Sequence, residues 1–245
     1  MEQCELTFQP RVKIDLELAR AQHAAYETAL AALGCQIVSL PAEPDLPDSV
    51  FVEDVAIVLD ETAIITRPGA ESRRPEAESA ASELKQYREL IFIQPPGTLD
   101  GGDVLRVGRM LYVGSSNRSN SEGIEQLAAA SARFGYTVVP VLVGECLHLK
   151  SAVTQVGPNT LLMNRQLVED RYFPGMDVID VHDAEPLAAN ALLIGDKIIY
   201  SASFPLTRKR LQDRGVVVQC VDVSEVEKAE GAVTCCSLVF EKAVR

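Results

Sequence analysis

The chain predicts an α/β fold built from a repeated unit of two strands, a helix and a third strand, and three observations carry that prediction. Paired apolar runs rich in β-branched residues recur around short polar turns at Asp60-Glu61, Gly108-Arg109, Gly157-Pro158-Asn159 and Gly195-Asp196. Stretches with apolar residues at three- and four-residue spacing follow these pairs, and each leads to a further β-branched run. Polar or reactive residues also stand at the mouths of the leading strands: Asp54, Asp103, His148, Asn190 and Cys235, at intervals of 49, 45, 42 and 45 residues. Recurrence of this kind means a solenoid or an array closed on itself. One leading strand per unit favours closure, with the strand mouths meeting at a common axis.

Taken in order, Asp15 to Leu33 places Leu18, Ala21, Ala25, Ala29 and Leu33 at helical spacing and stops at Gly34, which predicts an amphipathic helix. Cys35 to Leu40 reads as a strand, and Pro41 to Asp48 as a turn-rich loop. Phe51 to Leu59 and Thr62 to Thr66 form a hairpin. The next helix has Pro75 near its first turn and Ala77, Ala80, Ala81, Leu84 and Tyr87 on one face, and it leads to the strand Leu90 to Gln94. The second unit has strands Asp103 to Val107 and Met110 to Ser115, a helix presenting Ile124, Leu127, Ala128 and Phe134, and the strand Tyr136 to Val143. In the third, Ala152 to Val156 and Thr160 to Asn164 lead through an irregular stretch with a weak helical pattern to Met176 to Val181. The fourth runs Ala189 to Ile194, Lys197 to Ser201, the helix Leu206 to Arg214, and Val216 to Val221. A final strand, Val233 to Phe240, joins the N-terminal helix and Cys35 to Leu40 to make a fifth.

Composition narrows the class. A chain of 245 residues, 47% apolar, can bury a sizeable core as one large domain or two small ones. No uncharged apolar run approaches the roughly 18 residues of a membrane span, and Met1-Glu2-Gln3-Cys4-Glu5 carries acids where a secretory leader needs a basic then apolar segment. A cytoplasmic protein is expected. Six cysteines without a C-x-x-C pair argue against a disulfide scaffold and against structural zinc, so the thiols should be reduced. The 35 acids against 23 bases, a net charge of -12, disfavour nucleic acid or an anionic membrane as partner. The same balance mildly favours small cations.

Within the apolar run Gly231 to Phe240, Cys235 stands at the start of a strand, where a thiol can face a cleft instead of the core. Adjacent cysteines are ordinarily small buried hydrophobes. A nucleophilic thiol needs a base or a cationic neighbour, and His148 is the partner the sequence offers, because His23 sits in the first helix and His182 in a loop without a partner pattern. Glu53 and Asp54 are consecutive acids inside an apolar strand, so one must point inward and needs a cationic partner.

Five motifs then align with a known family. Leu46 to Asp54, Thr66-Arg67-Pro68-Gly69-Ala70 with Ser72-Arg73-Arg74, Leu99-Asp100-Gly101-Gly102-Asp103, Leu147 to Ser151, and Leu187 to Asn190 with Thr234-Cys235-Cys236-Ser237 together resemble the dimethylarginine dimethylaminohydrolases of the pentein, or guanidino-group-modifying, superfamily. The match runs in register from about Cys4 to Phe240. The resemblance implies a five-bladed α/β propeller of ββαβ units around a pseudo-fivefold axis, with residues 1–245 as a single catalytic domain. It implies Cys235 as nucleophile, His148 as general acid/base and Asp100 as the carboxylate that orients the imidazole. Asp48, Glu53 and Asp54 would bind the guanidinium, Arg73 and Arg118 the α-carboxylate, and the backbones of Leu6 and Ala229 the α-amino group. Each charged pairing is bidentate and charge-assisted. The implied partner is a small cationic amino acid, a methylated arginine. No metal and no organic cofactor is required, neither nucleic acid nor membrane is implied, and a homodimer is compatible with the resemblance.

Two departures bear on the outcome. Gly114-Ser115-Ser116-Asn117-Arg118-Ser119-Asn120 stands where the family has Leu-Ser-x-Arg-Thr-Asn, keeping the arginine and losing the leucine and threonine. The family usually also opens with a strand before the segment matching Gln3 to Thr7, so either the start is truncated or the fifth blade lacks a strand and has an unpaired edge near Cys235. Competing functions are an arginine deiminase or other guanidino hydrolase, and a non-catalytic binding module of the same architecture. The set Cys235, His148 and Asp100 separates these, since a binding module has no use for it. Zinc held through Cys146-Leu147-His148 lacks the further ligands of a tetrahedral site.

Overall fold

Every predicted hairpin is present, and each is extended by a third strand parallel to its second. In the computed structural model, which describes residues 1–242, β1 (Ala56–Val58) pairs antiparallel with β2 (Thr62–Ile65), and β3 (Glu89–Phe92) joins β2 in parallel. The order repeats in β4 (Val104–Val107), β5 (Met110–Ser115) and β6 (Thr137–Leu142), and in β7 (Val153–Gly157), β8 (Thr160–Met163) and β9 (Asp177–Asp180). It repeats again in β10 (Ala191–Ile194), β11 (Lys197–Ser201) and β12 (Val217–Val221), making four three-stranded sheets among the described residues. A parallel strand requires a crossover long enough to return the chain. Helices α2 (Ala77–Leu84), α3 (Ser121–Ala132) and α5 (Pro205–Asp213) supply it in three sheets, whereas β8 reaches β9 through a 3-10 turn, Asp170–Tyr172.

The chain packs as two compact units. The first comprises Met1–Ser39, Gly144–Cys146 and Lys150–Thr234. Its core gathers Val156, Leu162, Ile179, Ile198, Tyr200 and Leu211. Helix α1 (Leu16–Ala32) starts at Asp15, whose carboxylate accepts from the N–H groups of Glu17 (3.0 Å) and Leu18 (3.1 Å), a cap that stabilises by about 1 kcal/mol. The second unit comprises Leu40–Val143, Leu147–Leu149 and the chain from Cys235 onward. There Ile57, Leu59 and Ile64 pack with Leu99, Val104, Leu111, Val113 and Leu127, so that two sheets and α3 share one core. No helix is long and apolar enough to cross a membrane among the described residues.

Four expectations are corrected. In α1 the buried residues are Ala19, Gln22, Tyr26, Ala29 and Leu30, while Leu18 is 43% exposed. The period was right and the phase wrong, because alanines carry little phase information and the polar side chains found partners inside. Tyr26 donates to the carbonyl of Val233 at 2.8 Å, and the Gln22 amide bonds Ser224 Oγ (2.9 Å) and Glu225 N (3.0 Å). Cys35 to Leu40 is not a strand, and Ile37 and Val38 are 36% and 52% exposed. A β-branched run becomes a strand only where a neighbour supplies the ladder. Phe51 to Leu59 splits into a 3-10 turn, Val52–Val55, and the short strand β1, so Glu53 and Asp54 do not lie in a strand. The run from Val233 to Phe240 is a turn followed by irregular chain; Leu238 and Phe240 pack on Ala56, Ala63, Ile65 and Leu84 instead. No fifth sheet forms among the described residues.

Candidate active site

The motif Leu99 to Asp103 enters β4 through the 3-10 turn Gly101–Asp103. Asp100, fully buried just before that turn, accepts from Gly69 N at 2.8 Å through Oδ1 and lies 3.0 Å from His148 Nε2 through Oδ2. His148 precedes the short helix α4 (Leu149–Ala152) and is also buried. Its other nitrogen, Nδ1, is 3.7 Å from Asp54 Oδ1, so the imidazole stands between two carboxylates. Gly102 makes this approach possible. A Cβ there would sit 2.5 Å from His148 Nδ1 and 2.7 Å from Asp54 Oδ1, while its N–H donates to that same Asp54 oxygen at 3.0 Å.

Electrostatics follow from that geometry. Burial opposes a charged imidazole, but Asp54, the hydrogen bond that Nε2 donates to Asp100, and Asp103 outweigh it and raise His148 to about 9. The ring is therefore protonated at neutral pH.

The turn Val52–Val55 carries the next residues. Asp54 is buried, and its Oδ2 accepts from Arg73 Nη1 at 2.6 Å. Arg73, buried in the turn Glu71–Glu76, also bonds Glu76 Oε2 through Nη2 (2.8 Å) and Nε (3.1 Å), and Nη2 lies 3.4 Å and 3.3 Å from the carbonyls of Asp48 and Phe51. The guanidinium expected to meet a substrate carboxylate is thus engaged by Asp54 and Glu76. Burial works against its charge, and these two acids hold its pKa above the ordinary arginine value. Burial pushes Glu76 up to about 7 against the pull of Arg73, and Asp48 and Asp54 add to the rise. Glu76 was missed from sequence; the i,i+3 spacing to Arg73 was the signal that could have found it. Asp48 and Glu53 are buried as well.

Cys235 is half-buried, and its carbonyl accepts from Glu53 N at 3.1 Å, which ties the cysteine to the turn bearing Asp54. Burial, then the charges of Glu53 and Asp54, push the neighbouring Cys236 thiol up to about 12. Cys236 therefore stays protonated, on electrostatic grounds rather than by strand alternation. Arg118 is half-buried, and its N–H donates to Ser116 Oγ at 3.0 Å. Leu6 and Ala229 belong to the first unit, Leu6 half-buried and Ala229 buried. There Glu230, at φ 59°, accepts from the N–H groups of Thr7 (2.9 Å), Phe8 (2.6 Å) and Gln9 (2.5 Å), joining the turn after Ala229 to the segment after Leu6.

Asp54, Asp100 and His148 offer ligand atoms within 4.8 Å of one another. A metal would have to displace bonds already made: Asp54 to Gly102 N and Arg73, Asp100 to Gly69 N and His148. The donors fit a proton relay facing a cation better than a metal site.

Over residues 3–241 the sequence matches a family model described as N,N dimethylarginine dimethylhydrolase, eukaryotic. It is 40% identical to the N(G),N(G)-dimethylarginine dimethylaminohydrolase of Streptomyces coelicolor over 239 residues, covering 95% of this chain and 90% of that protein. Identity to the Pseudomonas aeruginosa enzyme of the same name is 37% over 230 residues, 93% and 91% of the two chains. In three dimensions the chain is similar to the P. aeruginosa enzyme, solved as a cysteine-to-serine variant complexed with citrulline, with a TM-score of 0.92, 36% identity and 96% and 93% coverage. A histidine-to-glycine dimethylarginine dimethylaminohydrolase, in an adduct with S-methyl-L-thiocitrulline, also gives 0.92 at 36% identity, with the same coverage. The amidinotransferase SxtG of Microseira wollei, 17% identical with a TM-score of 0.84 and coverage of 94% and 84%, shares the fold.

Proposed function

The chain belongs to the dimethylarginine dimethylaminohydrolase family, and on that premise we propose that it hydrolyses the guanidino group of Nω-methylated arginine to citrulline and a methylamine. The observation that carries the reading is a buried imidazole bonded to Asp100 and raised to about 9, in the same unit as Cys235. A guanidinium carbon is a poor electrophile, so a thiolate is wanted, and the bound cation itself helps to depress the thiol's pKa. In this reading Asp48, Glu53 and Asp54 receive the guanidinium. Cys235 Sγ adds to the central carbon, protonated His148 gives its proton to the departing amine, and the C–N bond breaks to leave a thiouronium. The neutral imidazole then takes a proton from water, the oxygen adds to the same carbon, the C–S bond breaks to restore the thiolate, and the hydroxyl proton passes to the released amine, leaving citrulline.

Arg118 carries the α-carboxylate in this scheme, and the backbones of Leu6 and Ala229 hold the α-amino group. Arg73, committed to Asp54 and Glu76, contributes what remains of its Nη1 donors and orients Asp54. Four sheets of one plan, together with α1, support reading the whole chain, 1–245, as one catalytic domain, a five-bladed α/β propeller.

A second reading, deimination of free arginine, is favoured by the altered Ser115 to Asn120 stretch. A dimethylated nitrogen has no proton to donate, so a site for it leaves the leaving-group side unpaired, whereas a site bonding every guanidinium nitrogen prefers arginine. Citrulline measured side by side from asymmetric dimethylarginine, monomethylarginine and arginine decides the matter. Methylated substrates should win by a wide margin in kcat/KM. Arginine winning makes the protein a deiminase, and no product from any of the three, with thiols reduced, means a binding module.

A further inference from the structure

Asp103 has no part in the scheme above, yet it is fully buried, and its carboxylate is held by two hydroxyls and a backbone N–H. Its Oδ2 accepts from Ser116 Oγ (2.6 Å) and Ser119 Oγ (2.7 Å), and its Oδ1 accepts from Leu149 N (2.9 Å). Each donor belongs to a segment that bears a site residue. Leu149 follows His148. Ser116 Oγ accepts in turn from the N–H groups of Arg118 (3.0 Å) and Ser119 (3.2 Å), and Ser119 Oγ accepts from Asp100 N (3.1 Å).

One carboxylate thereby joins the segments of His148, Arg118 and Asp100. The space for it is also prepared. A Cβ on residue 114 would lie 2.7 Å from Asp103 Oδ1 and 3.0 Å from Leu149 Cβ, so glycine is required there. Burying a carboxylate is costly unless hydrogen bonds compensate, and neutral donors meet that need here. Burial raises the Asp103 pKa, and His148 and the three donors work against that rise.

We propose that Asp103 is a positioning residue for the reaction, holding the acid/base His148 and the carboxylate-binding Arg118 in register through one side chain. This rests on the hydrolase reading. Turnover of methylarginine by the wild-type protein is measured first, and silence there defeats that reading before Asp103 is considered. With wild-type activity in hand, Asp103→Ala should lower kcat and raise KM, each by about tenfold or more, the scale of a small misplacement at a reacting centre. Asp103→Asn, which keeps the shape and can still accept from Leu149 N, should recover most of that loss. Ser116→Ala, which loosens the Arg118–Ser119 segment while Leu149 N keeps its bond to Asp103, should raise KM more than it lowers kcat.

The same variants are assayed on a methylguanidine lacking the amino acid part. There the KM effect should vanish and the kcat effect of Asp103→Ala should persist. A folded Asp103→Ala protein with both constants within about twofold of wild type overturns the proposal, as does an equal loss on both substrates. If Asp103→Ala does not fold, Asp103→Asn and Ser116→Ala carry the same test, and a Ser116→Ala protein with unchanged KM overturns the link to Arg118.

Discussion

Two clusters at strand mouths, one in each unit, solve the same packing problem with different chemistry. At the mouth of β10 in the first unit, the Asn190 amide donates to the Lys150 carbonyl (3.1 Å) and Thr234 Oγ1 (2.9 Å) and accepts from Thr234 N (3.1 Å). Thr154 Oγ1 bonds both flanks, donating to Ala189 O and accepting from Ala191 N. Everything there is neutral. At the mouths of β1 and β4 in the second unit, Asp54, Asp100, Asp103 and His148 make an equally buried cluster of three acids and an imidazole. The first shows that a neutral amide suffices to lock such a junction. Charges cost desolvation, so the second cluster is explained by reactivity rather than by stability.

The comparison can be broken most sharply at the nucleophile. Cys235→Ser should abolish citrulline formation while Cys236→Ser keeps most of it, since a thiol held near 12 is not the one that ionises. Equal loss in two folded variants would sink the assignment.

Next in size, His148→Ala should cut turnover by about a hundredfold or more, the usual scale for a general acid/base, with substrate still bound. Unchanged turnover in a folded protein removes the histidine from the chemistry.

The charge itself is tested by pH. Because the folded His148 stands at about 9, above its ordinary 6.5, its protonated form contributes stability that is fully present below 6.5 and is lost as pH rises through 9. The acid needed by the leaving amine disappears over the same range, so kcat/KM should fall on the alkaline side near 9. Asp100→Asn should move that limb to lower pH, Asp54 and Asp103 still supporting the imidazolium, and a pH profile superimposable on wild type would refute the electrostatic account.

The smallest effects belong to the neutral hub and to the clamp. Asn190→Ala should cost about 1–3 kcal/mol in urea unfolding by leaving buried groups unpaired, whereas Asp100→Asn should cost much less stability than activity. The contrast fails if the two variants lose stability alike. Arg118→Ala should raise KM with a smaller change in kcat, because a carboxylate far from the reacting carbon contributes binding to ground state and transition state together; steady-state kinetics on methylarginine separates the two constants.

Much of the site was legible because its chemistry is written in short motifs. Asp100 was named through a family motif and lies 3.0 Å from His148 Nε2, while the need for glycine at position 102 shows only in its contacts. One of Glu53 and Asp54 was expected to turn inward from a strand and need a cation; Asp54 meets Arg73, but both acids are buried and the element holding them is a 3-10 turn. The three donors gathered on Asp103 left no trace in spacing, because they depend on loops far apart in the chain, whereas Arg73 and Glu76 lie three residues apart and their pairing could have been read.

By itself the sequence determined the unit of the fold. Hairpin turns and alternation place β1–β2, β4–β5, β7–β8 and β10–β11 within a few residues, since local sterics and the burial of one face act over neighbours. Only the tertiary structure decided the rest. The phase of α1 was set by where Tyr26 and Gln22 found partners, and Cys35 to Leu40 and Val233 to Phe240 stayed irregular because a strand exists only with a neighbour to complete its ladder. Which acids raise His148 and which two engage Arg73 were decided there too, because a buried charge answers to every group that surrounds it.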